Sequence, residues 1–202
     1  VIHRSDQLVC FEGTFSPDAD WILDEHEVLG RKILPGTAYL EFTRAAFVLV
    51  GGHGPIELRD VYFLRPLVVD PGSATAVRAV LQKRGDGWNF TILSQTGSPQ
   101  QDTWIEHARG EVSRLDHEGE TRPERSLHLK ALRLTCGGSE ASSPSARREA
   151  FEASMTAFGP HWHNLVHADF GQGQALGEFD LPSHFGSELA QILLHPALLD
   201  NA

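Results

Sequence analysis

His26 raises the first chemical question in this sequence, because it sits in "WILDEHEVLGRKILPGTAYLE", residues 21–41, just ahead of the most apolar helical stretch of the chain. A neutral imidazole has a reference pKa of about 6.5 and accepts a proton near neutral pH with little tuning, so His26 is a candidate general base. At the other end of the chain, "LLHPALLDNA" carries a carboxyl group, Asp200, behind the apolar residues Leu193, Leu194, Ala197, Leu198 and Leu199. Keeping such a carboxyl protonated at pH 7 needs an upward shift of about three units, which a deeply apolar site supplies. Pro35 and Gly36 stand at a helix entry, where backbone N–H groups point outward and can meet a developing negative charge.

Other ionisable groups suggest less. His161 and His163 in "HWHN" would share one face of a strand, but no third ligand accompanies them and no metal is expected. Glu25 precedes His26, so strand alternation would turn it away from the base as a solvated or structural carboxylate. Cys10 and Cys136 show neither metal spacing nor a disulfide framework, which fits packed or idle thiols in a reducing compartment.

The elements that must hold these groups follow from patterning. "LVCFEGTFS" alternates in part and "WILDEHEVL" reads as a second extended segment. Pro35 then opens a helix over residues 37–50, apolar almost all round and therefore buried, closed by the pair Gly51 and Gly52. "IELRDVYFLRPLVVD", "TAVRAVLQKR", "WNFTILSQ" and "TWIEHARGEVSRL" read as strands separated by "PGS", "GDG" and "TGSPQQD" turns. One helix against an antiparallel sheet is the expected first unit, residues 1–125. Residues 126–145, including "CGGSEASSPS", read as a linker, and residues 146–202 as a second unit begun again. There, "SARREAFEASM" has a helical pattern with Ser145 as N-cap, "VHADF" and "QALGEFDLP" suggest strands, and "ILLHPALLD" a strand and a helix entry.

With 17 Lys and Arg against 27 Asp and Glu, the formal charge of −10 opposes binding to phosphate backbones, so nucleic acid is not an expected partner. The longest apolar stretches, residues 45–50 and 192–199, are too short to span a bilayer, and "VIHRSDQ" has no signal-peptide apolar region. A soluble, cytoplasmic chain is the expectation.

Four motifs together resemble those of the dehydratase domains of modular polyketide synthases. His26, Gly30 and Pro35 form H-x-x-x-G-x-x-x-x-P, and Trp104, His107 and Gly110 match W-x-x-H-A-x-G. "FGPHW", with Phe158, Gly159, Pro160 and Trp162, is similar to Y-G-P-x-F, and "HPALLD", with His195 and Asp200, to H-P-x-x-L-D. The resemblance implies an α+β double hot-dog fold, two antiparallel sheets each wrapped around a central helix, with the second hot dog incomplete in this sequence. It implies loss of water from a β-hydroxyacyl thioester, giving an α,β-unsaturated product. His26 would take the α-proton, and Asp200 would either protonate the departing hydroxyl or, if ionised, orient it while the imidazolium returns the proton. Gly36, with Gly30 and Pro35, would position the thioester oxygen; Phe158, Gly159, Pro160, Trp162, Leu199 and His195 would shape the substrate tunnel, His195 chiefly through structural hydrogen bonding.

No bound cofactor is implied, because the substrate rides on the phosphopantetheine arm of an acyl carrier protein. The implied partners are that carrier and neighbouring synthase domains, and a homodimer is common in the family. Phe158 and Trp162 depart from the usual tyrosine and phenylalanine, removing a hydroxyl donor and adding a larger ring. They leave room for a relative that shifts a double bond or closes a cyclic ether; a silent scaffold is the third reading. The family's D-x-x-x-Q/H pattern would run past Ala202, so this sequence is expected to be part of a longer domain.

Overall fold

The computed structural model describes residues 1–96, 103–115, 128–136 and 156–202. Its chain order is β1 (His3–Arg4), β2 (Leu8–Phe15), α1 (Trp21–Asp24), β3 (His26–Val28), β4 (Arg31–Leu34), α2 (Gly36–Leu49), β5 (Ile56–Phe63), β6 (Leu67–Val68), β7 (Thr75–Arg84), β8 (Gly87–Thr96) and β9 (Thr103–Arg114). Then follow α3 (Leu129–Cys136), β10 (Thr156–Phe158), a 3-10 helix (Pro160–Trp162), β11 (Leu165–Gly171), β12 (Gln174–Phe179), a second 3-10 segment (Ser183–Ala190) and α4 (Pro196–Asn201).

Alternation in the long strands selects the inner face. Val77, Ala79 and Leu81 of β7, and Phe90, Ile92 and Ser94 of β8, are buried at every second position. The resulting six-stranded antiparallel sheet, ordered β1-β2-β7-β8-β9-β5, folds over α2, which contacts β5, β7 and β9. Burying an apolar helix in a curved sheet produces the hot-dog arrangement. Helix α2 keeps Ala38, Tyr39, Ala46 and Phe47 in the core and ends as its sequence predicts: Gly51 has φ 101°, and the Gly52 N–H donates to the Phe47 carbonyl at 2.9 Å.

A second sheet, ordered β10-β3-β4-β6, joins the two halves, because β10 pairs with β3 and sets Phe158 opposite His26. The β11–β12 hairpin forms a third sheet, on which α3 packs. Helix α4 packs on α2, and the Thr37 hydroxyl donates to the Pro196 carbonyl at 3.1 Å.

Four local expectations change. "WILD" is a helical turn, since Ile22 and Leu23 enter the core while Trp21 stacks on His161, with ring centroids 3.8 Å apart. The run read as one strand over residues 56–70 divides after Phe63, and Leu67 and Val68 pair with β4 in the other sheet; Pro66 lacks the N–H that a continuous ladder needs. Leu129–Cys136, inside the expected linker, is helical with Cys136 buried. "ILLH" is not a strand, although the helix predicted after it is present. The "TGSPQQD" turn beyond Thr96, the polar stretch from Asp116 and the helix predicted from Ser145 lie outside the described residues. Among the described residues no helix is long and apolar enough to cross a membrane.

Candidate active site

His26 opens β3, held between β10 and β4, and is 8% exposed. Its Nδ1 donates to the Ile33 carbonyl at 2.6 Å, so in the neutral ring the lone pair is on Nε2. Asp200, on α4, brings Oδ2 to 3.5 Å from that Nε2. Groups 174 positions apart are thus set face to face (200 minus 26), with α4 anchored on α2 and β3 paired with β10.

Both border a cavity of ≈ 320 Å³. Its other walls are Ile33 and Leu34 of β4, Pro35, Gly36 and Tyr39 at the start of α2, and Phe63, Leu64, Arg65 and Pro66 where the chain leaves β5. Pro35 is the N-cap residue of α2, so the Gly36 and Thr37 N–H groups have no intrahelical acceptors, and Gly36 borders the same cavity as His26. A side chain at Gly36 would press on the Phe63 ring, with its Cβ 3.1 Å from Cε1, so glycine keeps this wall open.

Several expected site residues lie elsewhere. Gly30, at φ 72° beside Leu29 at φ 53°, makes the two-residue turn of the β3–β4 hairpin and does not border the cavity. Phe158, Gly159, Pro160, Trp162, His195 and Leu199 are not cavity walls either. Phe158 stacks on the His26 ring and Trp162 packs at a tilt to it, with centroids 5.4 and 5.3 Å away. Gly159 permits close approach to Glu25, Pro160 starts the 3-10 helix, and Leu199 is 38% exposed at the surface. His195 is 2% exposed, its Nε2 3.4 Å from Glu188 Oε2; burial pushes its pKa down, opposed by Glu188.

The apolar run before Asp200 does not form an apolar pocket around the carboxylate, because Leu193 and Leu199 point outward. Partial burial raises the Asp200 pKa, but hydrogen bonds from a protonated His26 and from Trp162, together with the imidazolium charge, outweigh it, and the net direction is downward. The side chain is therefore set as an acceptor. Its Oδ2 receives the Trp162 indole N–H at 3.0 Å.

Glu25 is structural, accepting from the His161 backbone N–H at 2.7 Å and pairing with His161 Nδ1 at 2.8 Å. His161 lies on the 3-10 helix, not on a strand shared with His163, because Pro160 sits at its first turn and the ring is sandwiched between Trp21 and Phe185. Among the described residues no group of three His, Cys, Asp or Glu is placed to hold a metal ion. Cys10 and Cys136 are both buried free thiols.

Sequence reasoning missed Tyr39, Phe63, Leu64, Arg65 and Pro66 as cavity walls. The available signal was Pro66 interrupting an apolar run, together with Tyr39 lying one helical turn after Gly36.

The family description "Polyketide synthase dehydratase domain" matches residues 2–95, and "Polyketide synthase dehydratase N-terminal domain" matches residues 129–202. The chain belongs to the polyketide synthase dehydratase family. Polyketide synthase ThaG of Burkholderia thailandensis is 30% identical over 188 residues, covering 89% of this chain and 3% of that protein. PksM of Bacillus subtilis is 27% identical, covering 91% of this chain and 4% of its own length. This dehydratase chain therefore spans a small part of each curated relative.

Among solved structures, the dehydratase domain from the CurF module of curacin polyketide synthase superposes with a TM-score of 0.84 at 24% identity, covering 98% of this chain and 68% of that one. A trans-AT dehydratase domain from Brevibacillus brevis gives 0.83 at 27% identity, covering 96% and 67%. The fold is the double hot-dog of these dehydratase domains. The curated relatives are polyketide synthases, in which dehydratase domains are one part of a larger polypeptide.

Proposed function

We propose that this dehydratase chain removes water from a β-hydroxyacyl thioester presented on the phosphopantetheine arm of an acyl carrier protein, leaving an α,β-unsaturated thioester. The observation that carries the reading is the His26–Asp200 pair, 3.5 Å apart on one cavity that the start of α2 also lines.

The α-proton of a thioester is weakly acidic and hydroxide is a poor leaving group, so base, acid and charge stabilisation must act together. With Nδ1 committed to Ile33, Nε2 of His26 takes the α-proton. Negative charge moves onto the thioester oxygen and is met by backbone N–H groups at the start of α2, the Gly36 N–H first. Asp200 enters as a carboxylate, accepts the hydrogen of the β-hydroxyl and steadies the imidazolium formed at His26. That imidazolium then returns its proton to the departing oxygen. The Cα–H and Cβ–O bonds break, the alkene forms, water leaves and His26 is neutral again. Support for leaving the proton on His26 rather than on Asp200 is the downward pKa of Asp200 beside a protonated His26.

No cofactor takes part in these steps. The carrier protein, and neighbouring domains on the same polypeptide, are the proposed partners, with a homodimer as a further proposal. The test is chromatography of acyl groups released from carrier-bound β-hydroxyacyl thioesters after incubation with the protein. A linear conjugated alkene is expected. A shifted alkene or a ring would replace dehydration with isomerisation or cyclisation, and unchanged mass would leave a scaffold.

A further inference from the structure

Trp162 stands where the family motif has phenylalanine, and the two differ in more than width: indole carries an N–H donor that a phenyl ring lacks. In this chain the donor is used. Trp162 is 2% exposed, and its Nε1 lies 3.0 Å from Asp200 Oδ2, the same oxygen that faces His26 Nε2 at 3.5 Å. A buried indole N–H needs an acceptor.

The contact is built into the scaffold. The Asn201 amide donates to the Trp162 carbonyl at 2.8 Å and to Asn164 Oδ1 at 3.0 Å. Asn164, 1% exposed, donates in turn to the His161 carbonyl at 3.0 Å and the Ala197 carbonyl at 2.9 Å. The 3-10 helix and α4 are thereby clamped on both sides of the Trp162–Asp200 bond. On its other side, Trp162 packs against the rings of Phe158 and His26.

We propose that Trp162 is a positioning residue for the dehydration, its indole N–H holding one oxygen of the Asp200 carboxylate toward His26 and leaving the other for the substrate hydroxyl. The assignment deepens the dehydratase reading and rests on it for its kinetic consequence. Its structural consequence stands alone. A donor bonded to the charged form of an acid favours that form, in line with the direction found for Asp200, so losing the donor raises the carboxyl pKa.

Two variants of the full-length protein separate donor from volume. Trp162→Phe removes ring and donor together, while replacement of Trp162 by 3-benzothienylalanine keeps the bicyclic shape with sulfur in place of N–H. The first readout is the titration of the Asp200 carboxyl carbon by 13C NMR on aspartate-labelled protein, assigned by subtraction of Asp200→Asn. Its midpoint moves upward in both variants. The second is steady-state kinetics on a β-hydroxyacyl thioester: kcat falls on the order of tenfold in both variants with KM nearly constant, the size of one charge-assisted hydrogen bond.

An unmoved Asp200 midpoint, or full activity with the benzothienyl side chain, overturns the assignment and leaves Trp162 as filler. Where wild-type protein turns over no thioester, the dehydratase reading fails by itself, and the NMR titration still decides whether the indole governs the carboxylate.

Discussion

Gly159→Ala puts a single methyl group where the two halves of the chain meet beside the His26–Asp200 pair. The Gly159 N–H donates to the Glu25 carbonyl at 2.9 Å, and a Cβ at this position would lie 2.3, 2.5 and 2.6 Å from Glu25 Cγ, Cβ and Cδ. Ordinary carbon contacts are about 3.5–4.0 Å, so the overlap exceeds about 1 Å and involves the root of the side chain, which cannot simply rotate away. Overpacking of this kind costs about 1–3 kcal/mol. If Glu25 is displaced, the His161 backbone N–H and Nδ1 lose their acceptor in a site where the His161 side chain is 4% exposed, adding about 1–3 kcal/mol.

A total of about 2–6 kcal/mol corresponds to a fall in Tm of about 4–24 °C for a domain of this size. Thermal unfolding followed by circular dichroism measures it, and Glu25→Gly provides the control because it removes the atoms in conflict. The reasoning is refuted if Gly159→Ala melts within about 1 °C of wild type, or if it costs as much in the Glu25→Gly background as alone.

Glu41 is buried on α2, bonded to Arg44 at 2.7 and 2.6 Å and accepting the Leu194 N–H at 2.9 Å. Glu41→Leu strands a mostly buried guanidinium and should cost about 3–5 kcal/mol in denaturant unfolding, a loss below about 1 kcal/mol contradicting the role. Burial pushes the pKa values of His107 and His195 down, so the unfolded chain takes up protons at these rings before the folded chain does. Stability from their neutral forms is complete above about pH 6.5 and is lost as pH falls below it. Tm should therefore drop from about pH 7 to pH 5, and the slope should flatten in His107→Gln; an unchanged slope would exclude His107 as a contributor.

Patterns that depend on near neighbours were legible before any coordinates. Helix α2 begins at Pro35 and stops at the Gly51–Gly52 pair because caps and breakers act locally, and β7, β8 and β9 follow from alternation. His26 and Asp200 could be named from motif spacing, and the structure brings them together. Features set by distant parts of the chain were hidden. The helical turn at Trp21 answers to a ring stack with His161, 140 positions away (161 minus 21). The cavity wall of Phe63, Leu64, Arg65 and Pro66 exists because the chain leaves one sheet there to enter the other. The Trp162 indole read as added bulk, since its donor gains meaning only when the 3-10 helix is set against α4.

Mass spectrometry of a carrier-bound β-hydroxyacyl thioester, incubated with the wild-type protein, His26→Ala and Asp200→Asn in parallel, tests the central claim most directly. Loss of one water with the wild-type protein, abolished by His26→Ala and strongly slowed by Asp200→Asn while both variants stay folded, is the predicted result. Dehydration by His26→Ala at the wild-type rate would place the chemistry on other residues and contradict the account.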